Sequence, residues 1–219
     1  MTDGAPELSF EHRPSSLEGP APALCLLHGR GTDETDLLPL ADRLPDELAV
    51  FSLRAPFPAD ADAGTGRVWY DLDLSAGGLH ESQPGEGFRE SLDAVHAFVD
   101  SVPGRFPVTD VGLLGFSQGG VVSMAALLER PDLYAWTVAL HSYLPASHDP
   151  EAFEGVAGKP VFLGAGAADQ VIPAARVADA AERLERGGLD VTAETYGAGH
   201  GIHPEELAAV GEWVTARLG

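Results

Sequence analysis

The chain has 219 residues, of which 44% are hydrophobic, and its formal net charge is −21, from 34 acidic and 13 basic residues. Length and composition predict one globular domain over residues 1–219, and the acidic excess argues against nucleic acid as a partner because polyanions are repelled. Lys159 is the only lysine. Such a chain resembles proteins of salt-loving organisms, since high ionic strength screens self-repulsion; an acidic protein from an ordinary GC-rich organism is the alternative.

No apolar run approaches the ~18 residues that a membrane span requires. The N-terminus shows neither the basic cluster nor the apolar core of a secretion signal. We therefore expect a cytoplasmic protein without a membrane span, as a monomer or homodimer. Cys25 is the single cysteine and lies in an apolar run, which favours a buried hydrophobic role.

Apolar runs alternate with amphipathic stretches along the chain. Strands are predicted at an edge position over 7–12 and in the interior over 23–27, 49–53, 110–114, 135–140, 160–163 and 191–196. Helices are predicted after the acidic cluster 33–36, from residue 88 to about 102, and over 118–130, 177–184 and 204–218. This alternation predicts an α/β fold with a mostly parallel sheet, helices on both faces and a ligand site at the carboxyl ends of the strands.

Residues 55–87 interrupt this alternation. The segment is rich in Pro, Gly, Ala and Asp and is too long for a plain connection. We interpret it as an irregular substrate-site segment or a flexible cover over the site.

The most informative motif is Leu-Leu-Gly-Phe-Ser-Gln-Gly-Gly over residues 113–120, which centres Ser117 in a Gly-x-Ser-x-Gly frame. It lies between a predicted buried strand and a predicted buried helix. A sharp strand-to-helix turn holds a serine hydroxyl exposed and aimed, and Gly115 and Gly119 suit the crowding there. The alternative is an ordinary glycine-rich turn with an uninvolved serine.

A nucleophilic serine needs a base and an acid that orients the base, both in loops after later strands. His200 follows the strand 191–196 between two glycines, whereas its rival His203 precedes Pro204 and belongs to the start of the last helix. Asp169 lies in the loop after the strand that begins at residue 160, 31 residues before His200. We predict Ser117, Asp169 and His200 as a catalytic triad, with the other carboxylates on the solvated surface.

The negative oxygen formed during acyl transfer requires backbone N–H donors. One candidate is the N–H of Gln118, directly after the nucleophile, at the start of a helix. The second is the N–H of Arg30 in the turn His-Gly-Arg-Gly over 28–31, which follows the strand 23–27. We expect His28 to make structural hydrogen bonds in that turn, and the Arg30 side chain to face solvent or an acidic partner rather than substrate.

The order Ser…Asp…His is that of the α/β-hydrolases. The turn at 26–38, the serine motif, the Asp169 loop and Gly-His-Gly-Ile-His-Pro-Glu-Glu-Leu over 199–207 together resemble the phospholipase/carboxylesterase family, which includes the acyl-protein thioesterases. The resemblance implies a single-domain α/β-hydrolase with a minimal lid, and the same triad and oxyanion donors. It also places Trp69 and Tyr70 near an acyl pocket, with core packing as the alternative. The turn Tyr-Leu-Pro at 143–145 resembles one of the family, but no role follows for His141.

These features predict a serine carboxylesterase that acts on small or short-chain esters, or on thioesters, with no cofactor and no metal. One alternative keeps the fold but changes the chemistry, to lysophospholipid hydrolysis or to hydrolysis of aromatic-ring products by C–C cleavage or dienelactone opening. Dienelactone enzymes typically carry Cys where this chain has Ser117, which argues against that branch. The other alternative is a hydrolase-like ligand sensor without activity, against which the complete triad argues.

Overall fold

A computed structural model of the chain describes residues 6–59 and 66–218. Eleven strands occur in these residues. They are β1 (Phe10–Arg13), β2 (Ala21–Leu27), β3 (Ala49–Leu53), β4 (Phe57–Pro58), β5 (Arg67–Val68), β6 (Leu72–Asp73), β7 (Gln83–Pro84), β8 (Val108–Phe116), β9 (Trp136–Leu140), β10 (Pro160–Gly166) and β11 (Asp190–Tyr196). The helices are α1 (Phe88–Arg105), α2 (Gln118–Glu129), α3 (Ala174–Arg186) and α4 (Pro204–Thr215).

Seven strands form the central sheet in the order β1-β3-β2-β8-β9-β10-β11. All neighbours pair in parallel except β1, which pairs antiparallel with β3 at one edge. The carboxyl ends of β2, β8, β9, β10 and β11 therefore meet at one edge of the sheet, where a doubly wound fold binds its ligand. The prediction of a mostly parallel α/β sheet is confirmed.

The two faces of the sheet carry separate hydrophobic cores. Alternate residues of β2 point to opposite faces: Cys25 and Leu27 pack with α1, α2 and α3, while Leu24 and Leu26 pack with α4 and the segment 37–44. Because both faces are covered, the interior strands are apolar at nearly every position. The predicted placement of helices on both faces is also confirmed.

The predicted helix after residues 33–36 is wrong in type and length. The structure has only a six-residue 3-10 helix, Leu38–Arg43. Pro39 disfavours the α conformation of the residue before it, and Pro45 lacks the N–H that a continuing helix would use, so too few residues remain for an α-helix. Its buried residues still cover the sheet, as Leu37, Ala41 and Leu44 show.

The described part of residues 55–87 contains two short antiparallel strand pairs and one short 3-10 helix, Leu79–Glu81, and is otherwise irregular. β4 pairs with β5, and β6 pairs with β7. Residues 60–65 of the segment lie outside the described residues. Its described part folds back over the carboxyl edge of the sheet, where Tyr70, Leu72, Leu79 and Ser82 line the cavity beside Ser117.

Candidate active site

Five loops at the carboxyl edge of the sheet bring the candidate residues together. Arg30 follows β2, Ser117 follows β8, His141 follows β9, Asp169 follows β10 and His200 follows β11. The position of each of these five residues therefore depends on parallel strands that end at the same edge of the sheet. The sequence predicted all of these positions as site residues except that of His141.

Ser117 occupies a strained turn between β8 and α2. Its φ of 52° and ψ of −117° lie in a region that few non-glycine residues adopt. A Cβ at Gly119 would lie 2.0 Å from the carbonyl oxygen of Leu27, and one at Gly115 would lie 2.3 Å from the backbone of Gly119. The glycine frame is therefore required by backbone crowding, and the N–H of Ser117 is fixed to the carbonyl of Leu140 at 2.8 Å.

A hydrogen-bonded chain of side chains runs from Ser117 to Asp169. His200 Nε2 lies 3.0 Å from Ser117 Oγ, and His200 Nδ1 lies 2.8 Å from Asp169 Oδ2. The other carboxylate oxygen, Oδ1, accepts the N–H groups of Val171 and Ile172 at 2.8 and 2.9 Å. With Asp169 ionised, the Nδ1–H of His200 points to it and the Nε2 lone pair faces the serine hydroxyl. His200 Nε2 can therefore accept the proton of the serine hydroxyl.

Arg30 and Gln118 both line the cavity that contains the Ser117 hydroxyl. Gln118 is the first residue of α2, where a backbone N–H has no partner within the helix. Arg30 is flanked by Gly29 and Gly31, and a Cβ at Gly29 would lie 3.0 Å from the Phe116 ring and 3.7 Å from the Cβ of Ser117. The turn after β2 therefore passes close to the nucleophile.

The family model described as Phospholipase/Carboxylesterase matches residues 15–218. The chain belongs to the phospholipase/carboxylesterase family. The resemblance inferred from the motifs is thus confirmed for nearly the whole length, and with it the α/β-hydrolase fold. Among the helices of the described residues, none is long and apolar enough to cross a membrane.

Sequence relatives of this family member include a probable carboxylesterase of Oryza sativa subsp. japonica, 29% identical over 68% of this chain. Acyl-protein thioesterase 1 of Neurospora crassa is 30% identical, also over 68% of this chain. The matches span 58% and 65% of the lengths of these two relatives.

Two solved structures are similar over almost the whole chain. A carboxylesterase from Mesorhizobium loti has a TM-score of 0.80 at 25% identity, covering 98% of this chain and 97% of its own. Esterase PE8 has a TM-score of 0.83 at 25% identity, covering 97% of this chain and 100% of its own.

The aromatic pair predicted for the pocket divides between the cavity wall and the core. Tyr70 lines the cavity. Trp69 is fully buried, and its indole N–H donates to the carbonyl of His28 at 2.9 Å. Trp69 is not among the residues that line this cavity: its ring packs behind the turn after β2, in accord with the alternative of core packing.

The side chain of Gln118 makes contacts that the sequence did not indicate. Its Oε1 accepts the N–H of Trp69 at 2.9 Å and its Nε2 donates to the carbonyl of Tyr70 at 2.6 Å. Gln118 is 3% exposed, so both hydrogen bonds are buried. The residue after the nucleophile therefore ties the segment 55–87 to the serine turn.

The two remaining histidines of the motifs have structural positions. His28 is fully buried, its Nδ1 lies 2.8 Å from the Gly29 carbonyl, and its Nε2 accepts the N–H of Ala55 at 3.1 Å. Burial lowers the pKa of His28, which suits a neutral ring with these two hydrogen bonds. His203 is the N-cap of α4, with its side chain on the N–H of Glu205. The rival candidate base thus belongs to the last helix, as expected.

His141 is the functional-site residue that sequence reasoning left without a role. It is fully buried, has a φ of 49°, and its Nδ1 lies 2.9 Å from the same Asp169 Oδ2 that contacts His200. Its position directly after β9 was the available signal. His141, Asp169 and His200 each offer one nitrogen or oxygen atom that could bind a metal ion, and these three atoms lie within 4.8 Å of one another. A hydrogen on the Nδ1 of His141 and another on the Nδ1 of His200 would bond both rings to Asp169, which explains this proximity without a metal ion. That the site holds no metal stays a prediction.

Proposed function

We propose that the chain is a serine carboxylesterase that hydrolyses small or short-chain carboxylic esters through an acyl-enzyme at Ser117. The single observation that supports this most strongly is the 3.0 Å contact between His200 Nε2 and Ser117 Oγ, with Asp169 2.8 Å behind the ring. The same chemistry would accept thioesters. Membership of the phospholipase/carboxylesterase family supports the same class of reaction.

In the proposed reaction, Ser117 Oγ attacks the acyl carbon while His200 Nε2 takes its proton. The imidazolium then gives that proton to the leaving alcohol or thiol, and the acyl-enzyme remains. Water repeats the sequence: it loses a proton to His200, attacks the acyl carbon, and Ser117 recovers the proton as the acid departs. Asp169 fixes the ring tautomer and stabilises the cation in both halves.

We assign the oxyanion hole to the backbone N–H groups of Gln118 and Arg30. A preorganised donor of this kind contributes roughly 3 kcal/mol to transition-state stabilisation. The start of α2 supports the Gln118 assignment because its first N–H groups point toward the negative charge that develops at Ser117. The close approach of the turn at Gly29 supports the assignment of Arg30.

The preference for small substrates rests on the cavity beside Ser117. Its volume is about 220 Å³, below the ~300–1,000 Å³ of typical pockets for drug-sized ligands. Leu72, Leu79, Val171 and Ile172 give the wall an apolar character. Because the first two belong to residues 55–87, we propose that this segment sets the length of acyl group that fits.

Hydrolysis of p-nitrophenyl esters of increasing acyl length, in molar KCl, tests the proposal. Ser117→Ala should lose about 10⁴- to 10⁶-fold in kcat, and short esters should be preferred. Ser101→Ala, on α1 outside the cavity, is the matched control and should keep the wild-type rate. Equal rates for wild type and Ser117→Ala would end the serine mechanism. A fluorophosphonate adduct on any other residue would move the site.

We also propose that the chain works at high salt in the cytoplasm. The support is the charge of −21 with a single lysine. At 1 M salt the Debye length is about 3 Å, so repulsion between carboxylates on the surface is largely screened.

A further inference from the structure

His141 lies in a buried array of titratable side chains, formed with Asp169 and Glu206, beside the proposed catalytic triad. Its Nδ1 is 2.9 Å from Asp169 Oδ2 and its Nε2 is 3.2 Å from Glu206 Oε2. Both the histidine and Glu206 are fully buried. Glu206 belongs to α4, so the imidazole bridges the last helix and the acid of the proposed triad.

Both contacts of His141 require a proton between the nitrogen and the carboxylate oxygen. Glu206 Oε2 also accepts the backbone N–H of His203 at 3.1 Å, and a hydrogen bond of this kind favours a carboxylate over a neutral carboxyl group. Asp169 accepts two backbone N–H groups on its other oxygen, which likewise favours its ionised form. With both neighbours ionised, both ring nitrogens of His141 must carry hydrogen, which makes the ring an imidazolium.

The backbone near Glu206 leaves space for its carboxylate beside His141. A Cβ at Gly164 would lie 2.0 Å from Glu206 Oε1, so glycine at this point of β10 leaves space for the carboxylate in its present position. His141 has a left-handed φ of 49°, and its N–H is bonded to the Gly164 carbonyl at 2.8 Å. Gly164 therefore leaves space for the Glu206 carboxylate, and the backbone conformation at His141 directs the imidazole toward Asp169 and Glu206.

Electrostatics in the array favour the cation. Burial alone disfavours a charged ring, but the hydrogen bonds to Glu206 and Asp169 outweigh it and raise the pKa of His141. Among the described residues, the titratable groups that contact His141 are Asp169 from the loop after β10, Glu206 from α4, and His200 from the loop after β11. The Phe116 ring from β8 also packs there but carries no charge.

We propose that His141 is a positioning residue that carries a standing positive charge, holds the Asp169 carboxylate in place and restrains the basicity of His200. This inference rests on the proposed esterase function. The ring centroids of His141 and His200 are 5.8 Å apart. A positive charge on His141 at that distance disfavours a second positive charge on His200.

The kinetic test compares the pH dependence of kcat/KM for a short p-nitrophenyl ester in wild type and His141→Gln. Loss of the cation should move the acid limb, which reports protonation of His200, to higher pH. His148→Gln is the matched control: it removes a buried histidine that contacts Glu129 at 3.0 Å outside the site. Its acid limb should stay in place. An unmoved limb in His141→Gln would overturn the proposal, since loss of packing alone does not shift it.

A second measurement needs neither turnover nor a mutated His141. In ¹⁵N-histidine-labelled wild type, both ring nitrogens of His141 should show the protonated signature at pH 7.5. In Glu206→Gln the pKa of His141 should fall, because one stabilising carboxylate is gone. A neutral His141 ring in wild type would overturn the proposal even if the protein hydrolyses esters. If the protein hydrolyses no ester, the proposed function fails while the charge of His141 is still measured.

Discussion

Replacing Gln118 by alanine tests how the segment 55–87 is attached to the nucleophile turn. The substitution removes the partners of the Trp69 N–H and the Tyr70 carbonyl, which lie in residues that are 0% and 1% exposed. A buried polar group left without its partner costs about 1–3 kcal/mol. Two such groups predict a loss of about 2–6 kcal/mol in the free energy of unfolding.

The variant should also separate binding from chemistry. The backbone N–H of residue 118 and the contact between Ser117 and His200 do not involve the deleted amide, so kcat should fall less than KM rises. The rise in KM would come from a loosened Tyr70, which lines the cavity. Urea unfolding followed by tryptophan fluorescence gives the stability, and ester hydrolysis gives both kinetic constants.

Gln83→Ala is the matched control for this variant. The Gln83 amide accepts one solvent-exposed hydrogen bond from the N–H of Ala146, so its loss should change the unfolding free energy by less than about 1 kcal/mol. A loss below about 0.5 kcal/mol in Gln118→Ala, with KM unchanged, would refute the idea that this amide anchors the segment.

Three further predictions concern Asp169, the hydrogen-bonded ion pairs of Glu129, and the negative charge of the protein surface. Asp169→Asn should lower kcat about 10⁴-fold in the ester assay, because an amide beside Nδ1 favours the wrong tautomer of His200. Glu129→Gln should destabilise the fold by about 2 kcal/mol at pH 7 in urea unfolding, because the Glu129 carboxylate binds Arg89 and His148 at 2.7 and 3.0 Å. The melting temperature of wild type should rise between 0.1 and 2 M KCl.

The pH dependence of the Glu129 variant has a definite sign. Burial disfavours the Glu129 carboxylate, but hydrogen bonds from His148, His96 and Arg89 outweigh it and hold its pKa well below the ordinary value. The stabilisation is therefore complete above the unfolded pKa of about 4.3 and is lost as pH falls below it. The gap between wild type and Glu129→Gln should narrow from pH 6 to pH 3, and a gap that widens would contradict this.

The predictions for Asp169→Asn and for the melting temperature in KCl can each be contradicted by one result. An Asp169→Asn variant within tenfold of wild type would show that the orientation of His200 does not depend on the carboxylate. A melting temperature that does not rise in molar KCl would end the high-salt hypothesis. Thr109→Ala, a surface change that leaves the charge unaltered, should follow the wild-type salt dependence.

The amino-acid sequence identifies the interior strands and most helices because burial leaves a strong local pattern. Strands covered on both faces must be apolar throughout, as in Ala21–Leu27, and the last helix shows its apolar stripe. The glycine frame around Ser117 was equally readable, since backbone crowding at that turn tolerates no Cβ. Where competing local signals met, as at Pro39 and Pro45, the pattern failed and a 3-10 helix formed instead.

The sequence by itself thus determined the family, the α/β architecture and the loops in which the candidate triad lies. Only the tertiary structure decided which partners each side chain meets. Gln118 binds backbone 48 and 49 residues away, and His141 meets carboxylates 28 and 65 residues away. Such contacts produce no periodic pattern in the amino-acid sequence, because they depend on the order of strands in the sheet and on where α4 begins. Hydrophobic patterning is a local consequence of burial, whereas a buried array of titratable side chains forms only once the sheet has assembled.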